Sequence, residues 1–320
     1  MVRLNGLKIR PDVARRIVKY LATYHGLAPE EAKPIMYMAE HRIQDETIFP
    51  NEDVKGACGT CHAFGRAMSW RRTRADWQLL ENLHVALYPQ AEPPFRGPPR
   101  RPGAEDGPAK KEPGEIALDY LAKSAALHTP EWAAWQSRIR APRITGKWLV
   151  SATMIGHGKF VGEMEIGPGA VEDEFTTTVT LRSLKDGSTI KRTGTGLVYA
   201  GYSWRGRSQG PAKASKPDDF NSEARETLWI APDQSYAEGR WYWGDYQEMG
   251  FDVTLKRLSA APTVLAVGNY SVKAGTKATQ LRIFGANFPG TVTPADLDLG
   301  AGVKINRVVS RTPKIGRAHV

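Results

Sequence analysis

Apolar positions recur at helical spacing in the first part of the chain and alternate in the second. Val13, Ile17, Tyr20, Leu21 and Tyr24 predict a helix over residues 11–25 that packs this stripe on a core. Pro11 suits its first position and Gly26 the residue past its end. Residues 29–45 predict a second helix, opened by Pro29-Glu30-Glu31, whose carboxylates complement the helix dipole. Residues 50–57 are polar and read as a turn. Thr73 as N-cap with Asp76 three residues on opens another helix. Trp77, Leu80, Leu83 or His84, and Leu87 share its apolar face, and Pro89 stops it. Residues 91–114 are rich in Pro, Gly and charge and read as an exposed loop. A helix over 115–126 and a short one with Trp132 and Trp135 follow.

Near residue 146 the period changes. Trp148–Met154, Glu174–Leu184, Thr195–Trp204, Glu226–Ile230, Glu238–Tyr246 and Phe251–Leu258 read as strands, with Asp186-Gly187 as a hairpin turn. Short strands with turns between them predict an antiparallel barrel or sandwich. Trp204, Trp229, Trp241, Tyr242 and Trp243 are read as filling that small barrel, with a ligand platform as the alternative. Residues 262–312 form a third segment, with strands at Pro262–Val267, Thr279–Gly285 and Lys304–Val309. It predicts an incomplete immunoglobulin-like sandwich. The domain boundaries are therefore 1–28, 29–142, 143–259 and 260–313.

Both cysteines of the chain lie in Cys58-Gly59-Thr60-Cys61-His62. C-x-x-C-H is the attachment signature of a c-type haem. The two thiols add to the vinyl groups, and His62 supplies the proximal nitrogen to the iron. A thioredoxin-like dithiol is the first alternative, but such a pair follows a buried strand. A structural zinc site is the second, and it would want four ligands. For the sixth iron position His84 lies on an apolar helix face, whereas only a short stretch of chain separates Met68 from His62. Met36, Met38 and His41 read as core or surface residues, and His25 as a surface residue. No catalytic constellation is visible in the β segments.

The 320 residues allow two or three domains. No apolar run is long enough for a membrane span. The formal charge of +10 is scattered and lacks a nucleic-acid recognition motif, so it reads as solubility or steering toward an acidic redox partner. Haem attachment outside the cytoplasm calls for a secretory signal, which the first residues do not resemble. The sequence is thus expected to lack its true beginning. Lys314–Val320 matches one reading frame of a common sequencing adapter and is expected to be a non-native tail.

The chain resembles the alpha subunit of quinohemoprotein amine dehydrogenase over residues 1 to about 312. Lys19-Tyr20-Leu21-Ala22, Gly26-Leu27-Ala28-Pro29, Cys58–His62 and Trp77 with His84 and Tyr88-Pro89 carry the resemblance. Gly146-Lys147-Trp148, Gly201–Gly206 and Leu299–Val303 extend it. The resemblance implies a multidomain fold: an all-α cytochrome c-like haem domain, an all-β antiparallel barrel and an immunoglobulin-like β-sandwich. It implies a periplasmic enzyme oxidising primary amines, with this chain transferring electrons rather than doing the amine chemistry. A small partner subunit would carry cysteine tryptophylquinone, and a β-propeller subunit would complete the complex. The acceptor would be a copper protein or a cytochrome c. By position, His62 and His84 correspond to the proximal and distal ligands of the second haem, and Met1 to the distal ligand of the first. One covalent haem c is expected in this sequence and two in the full subunit. A stand-alone c-type cytochrome with β binding domains, acting as a haem sensor or binding module, is the other reading.

Overall fold

The computed structural model describes residues 8–36, 49–61, 64, 67, 70–97, 111–268, 273, 275, 280–301, 303–308, 310–311 and 316–319. The chain divides into two units, residues 1–139 and 140–320.

The first unit is helical. Helix α1 spans Pro11–Tyr24, α2 Pro29–Ala32, α3 Glu52–Cys58, α4 Arg74–Leu87, α5 Glu92–Arg96, α6 Pro113–Ser124 and α7 Pro130–Gln136. Val54, Ala57, Phe64, Trp77, Ala117, Leu118, Leu121 and Ala125 form its core. The capping box at α4 is present: Thr73 Oγ1 accepts from Asp76 N at 3.1 Å, and the Asp76 carboxylate accepts from Thr73 N at 3.3 Å.

Four expectations for this unit need correction. The α1 stripe does not enter a core; Ile17, Tyr20, Leu21 and Tyr24 are exposed, and no residue of the helix is buried. Helical spacing makes a face apolar without supplying a surface to cover it. The second helix is interrupted by a 3₁₀ turn at Lys33–Ile35, where Pro34 has no N–H for the α-helical bond, and its expected stretch 37–45 lies outside the described residues. Residues 50–57 are mostly helical: Asn51 caps Val54 N at 2.9 Å, and Glu52 and Asp53 occupy the first turn. Part of 91–114 is helical, because Pro93 and Pro94 fall in the first turn of α5, where a missing N–H costs nothing.

In the second unit, β1 (Gly146–Met154), β2 (Gly158–Pro168), β3 (Glu174–Ser183), β4 (Thr189–Tyr199), β5 (Ser203–Gln209), β6 (Ala224–Ile230), β7 (Tyr236–Trp243) and β8 (Met249–Arg257) form a closed antiparallel barrel. Each strand pairs with the next, and β8 returns to β1 with Trp148 opposite Arg257. Six strands were legible and eight exist. The segment read as Thr195–Trp204 is two strands, turned at Ala200 and Gly201, both at positive φ. Trp204, Trp241 and Trp243 fill the interior with Phe251 and Met164, while Trp229 and Tyr242 are buried outside that cluster.

The loop between β5 and β6 folds over one end of the barrel. Phe220 stacks on Phe251 at 6.1 Å between ring centres and lies near Phe160 and Trp243. Strands β9 (Thr263–Gly268), β10 (Arg282–Ala286), β11 (Ser310–Arg311) and β12 (Gly316–His319) form a second sheet in the order β11-β12-β10-β9. Ala266 and Phe284 of this sheet pack on Val161 of β2. Residues 304–308 are not a strand, and the described residues of this segment form one four-stranded sheet.

Candidate functional site

The haem-ligand motif meets the rest of its helical unit at a cavity of about 400 Å³. Helix α3 carries Cys58 at its last position. The chain then leaves through Gly59, where a Cβ would lie 2.8 Å from the Phe49 ring and 2.9 Å from the Lys55 carbonyl. Only glycine allows that approach between the cysteines. Cys61 follows, and both thiols line the cavity. Helix α4 lends Trp77, Leu80, Glu81 and His84, α5 lends Phe95, and α6 lends Ala117, Leu118 and Leu121. Gly114 lets α6 close in; a Cβ there would stand 2.6 Å from Glu81 Oε1 and 3.1 Å from the Phe95 backbone.

The structure thus brings Cys58, Cys61 and His84 to one wall system. His62 and Met1 lie outside the described residues, as do the rival candidates Met38, His41 and Met68. Met36 is buried, and His25 ends α1 in an exposed position.

Electrostatics separates the readings of the motif. Burial pushes the Cys58 thiol up to about 11, and the charge on Glu81 pushes the same way. A thiolate nucleophile needs a thiol shifted down toward neutrality, so Cys58 itself is not placed to be one. Among the described residues no group of three or more His, Cys, Asp or Glu is placed to hold a metal ion, as a zinc site would need. His84 Nδ1 sits 2.8 Å from the Leu80 carbonyl. That contact holds the imidazole in one orientation, the kind of second partner that metal-binding histidines use. An apolar cavity with two thiols and an oriented imidazole fits a covalently held haem.

Glu81 is the site residue missed in the sequence. Its signal was spacing: it lies four residues after Trp77 and three before His84, on the same side of α4. Gln78 Nε2 donates to Glu81 Oε2 at 2.6 Å, Arg74 Nη1 donates to Gln78 Oε1 at 3.2 Å, and Arg74 Nε donates to Asp119 of α6 at 3.0 Å. Burial raises the Glu81 pKa against the pull of Gln78 and Arg74.

Residues 1–100 match the family described as quinohemoprotein amine dehydrogenase A, alpha subunit, haem binding. Residues 141–258 match domain II of the same alpha subunit and residues 261–316 its domain III. Comparison with curated proteins gave no match. Among solved structures, a redesigned beta barrel, mFAP1, bound to DFHBI is 16% identical; it covers 36% of this chain and 94% of its own, with a TM-score of 0.29. A de novo designed fluorescence-activating beta barrel is 18% identical, covers 36% and 93%, and has a TM-score of 0.28. These scores are too low to add to the reading of the fold. No described helix is long and apolar enough to cross a membrane. With a haem-binding region, a domain II and a domain III matched in order along it, the chain belongs to the quinohemoprotein amine dehydrogenase alpha-subunit family.

Proposed function

We propose that this chain is the electron-transfer subunit of a periplasmic amine dehydrogenase. In this reading it relays electrons from a cysteine tryptophylquinone on a small partner subunit to a copper protein or cytochrome c, beside a β-propeller subunit. The observation that carries it is the convergence of Cys58, Cys61 and His84 on one apolar cavity within the haem-binding region. Cys58 and Cys61 would hold haem c by thioether bonds, with His62 and His84 as axial ligands. The haem would supply a one-electron couple. The helical unit around it would follow the cytochrome c pattern, and the β9–β12 segment the immunoglobulin-like one. The protein's own part is positional. Leu80 O fixes the direction of the His84 ring, and Trp77, Leu118 and Leu121 give the cavity an apolar wall. Low dielectric and fixed ligands limit reorganisation during electron transfer.

The test is a reduced pyridine haemochrome spectrum with intact mass on protein made in a periplasm with cytochrome maturation machinery. One covalent haem per chain is expected, and it should vanish when Cys58→Ala and Cys61→Ala are combined. His84→Met should keep the haem and raise its potential, as Met ligation does in cytochromes c. Soluble, folded protein without covalent haem would refute the proposal.

A further inference from the structure

We infer that Glu81 is a positioning residue for charge: its carboxyl, on the cavity wall, sets how readily a haem held there accepts an electron. This rests on the haem reading above. Reduction adds a negative charge to the site, and a nearby carboxylate opposes it, more strongly where water is scarce.

Three observations support the inference. Glu81 lines the same cavity as Cys58 and His84. The hydrogen-bond chain Asp119–Arg74–Gln78–Glu81 holds the carboxyl in the wall, and α6 approaches it through the bare Cα of Gly114. The field of Glu81 already reaches Cys58, a residue that would carry the haem, because it is one of the two causes that raise that thiol. Glu81 is half-buried, and that burial raises its pKa. The charged groups acting on it are Arg74 from its own helix and Glu112 and Glu115 at the start of α6, with the Cys58 thiol facing it from α3. The amine chemistry would lie on another chain, so the electron affinity of this site is a property the subunit can set alone.

The experiment is a spectroelectrochemical titration of the full chain, after pyridine haemochrome analysis has counted its haem. Glu81→Gln removes the charge and keeps the shape. It is expected to raise the Fe(II)/Fe(III) ratio at fixed ambient potential about tenfold, or ~59 mV for one electron. Glu81→Asp should stay near the parent, and Glu115→Gln, at an exposed position, should move the ratio far less. A Glu81→Gln shift no larger than that of Glu115→Gln overturns the inference. If Glu81→Gln fails to load haem, the parent's potential is followed as pH falls through the carboxylate range. A rise is then expected, and a flat line overturns the inference. A parent without haem overturns the reading beneath it, so the two failures are distinct.

Discussion

Replacing Arg192 with methionine is expected to unfasten the end of the barrel covered by the β5–β6 loop. The guanidinium is buried inside the barrel and is the tie between that loop and the wall. Its Nε donates to Ser208 Oγ at 3.1 Å, its Nη2 to the Ser208 and Ser222 carbonyls at 2.7 Å, and its Nη1 to the Phe220 carbonyl. It also lies over the Trp243 ring, 5.3 Å from its centre. Methionine fills similar volume but offers no donor, so the Phe220 and Ser222 carbonyls lose their partner. Glu226, fully buried with one oxygen accepting from Trp204 Nε1 at 3.0 Å, loses the cation that draws its pKa down. Leaving a buried acceptor without its donor costs about 1–3 kcal/mol, and two loop carbonyls lose theirs. Burial already favours the protonated form of Glu226, so the lost cation adds little, and a total of about 3 kcal/mol is expected. That is a large part of the ~5–15 kcal/mol typical of a folded domain. Urea unfolding followed by tryptophan fluorescence reads it, since Trp204, Trp241 and Trp243 are interior reporters. Adding Glu226→Gln should recover about 1 kcal/mol, because a neutral amide needs no cation. A loss under about 1 kcal/mol, with strictly additive double-mutant energies, would refute the reasoning.

Three further outcomes are expected. The folded pKa of Glu226 lies above its unfolded value, so its contribution is full below the ordinary carboxylate range and is lost as pH rises through the folded pKa. The urea midpoint of the parent should therefore fall as pH rises above that range, and Glu226→Gln should flatten the fall. Gly114→Ala should lower the melting temperature of the helical unit, because its Cβ meets the immobile Phe95 backbone, an overpacking cost of ~1–3 kcal/mol. Gly56→Ala, in the middle of α3 with nothing within 4 Å of the added carbon, should stabilise that unit by ~0.4–1 kcal/mol and so raise its melting temperature.

Local chemistry was legible wherever one residue dictates a geometry. Thr73 and Asp76 announced the start of α4, and Asp186-Gly187 announced the β3–β4 turn, where Gly187 has positive φ. That Cys58, Cys61 and His84 line one cavity could be anticipated from the order of the motif and the apolar face of α4. What stayed hidden depended on context. Strand β2 carries three glycines, and its Gly162 meets the Thr180 carbonyl so closely that no side chain fits, which weakens the alternation a reader looks for. The turn between β4 and β5 uses Ala200 at φ 50°, a conformation that nothing in alanine announces. The α1 stripe showed an amphipathic helix but could not show that its face stands uncovered. Glu81 looked like an ordinary solvated charge until Gly114 and Phe95 were seen against it.

The closure of the barrel has a kinetic side. Seven of its eight pairings join strands that follow one another, six through short turns and one, β5 with β6, through the loop that covers the barrel end. The eighth, β1 with β8, joins the first strand to the last. Loop-closure entropy makes that zipping the late event. Until it happens, a nascent chain carries two raw strand edges, each a template for pairing with another molecule. Once closed, the Arg257 side chain donates to the carbonyls of Arg143 and Thr145 and pins the exit of the barrel to its entrance. Synthesis rate and chaperone supply up to the moment β8 is complete should therefore govern the yield of this subunit more than the strength of its finished core.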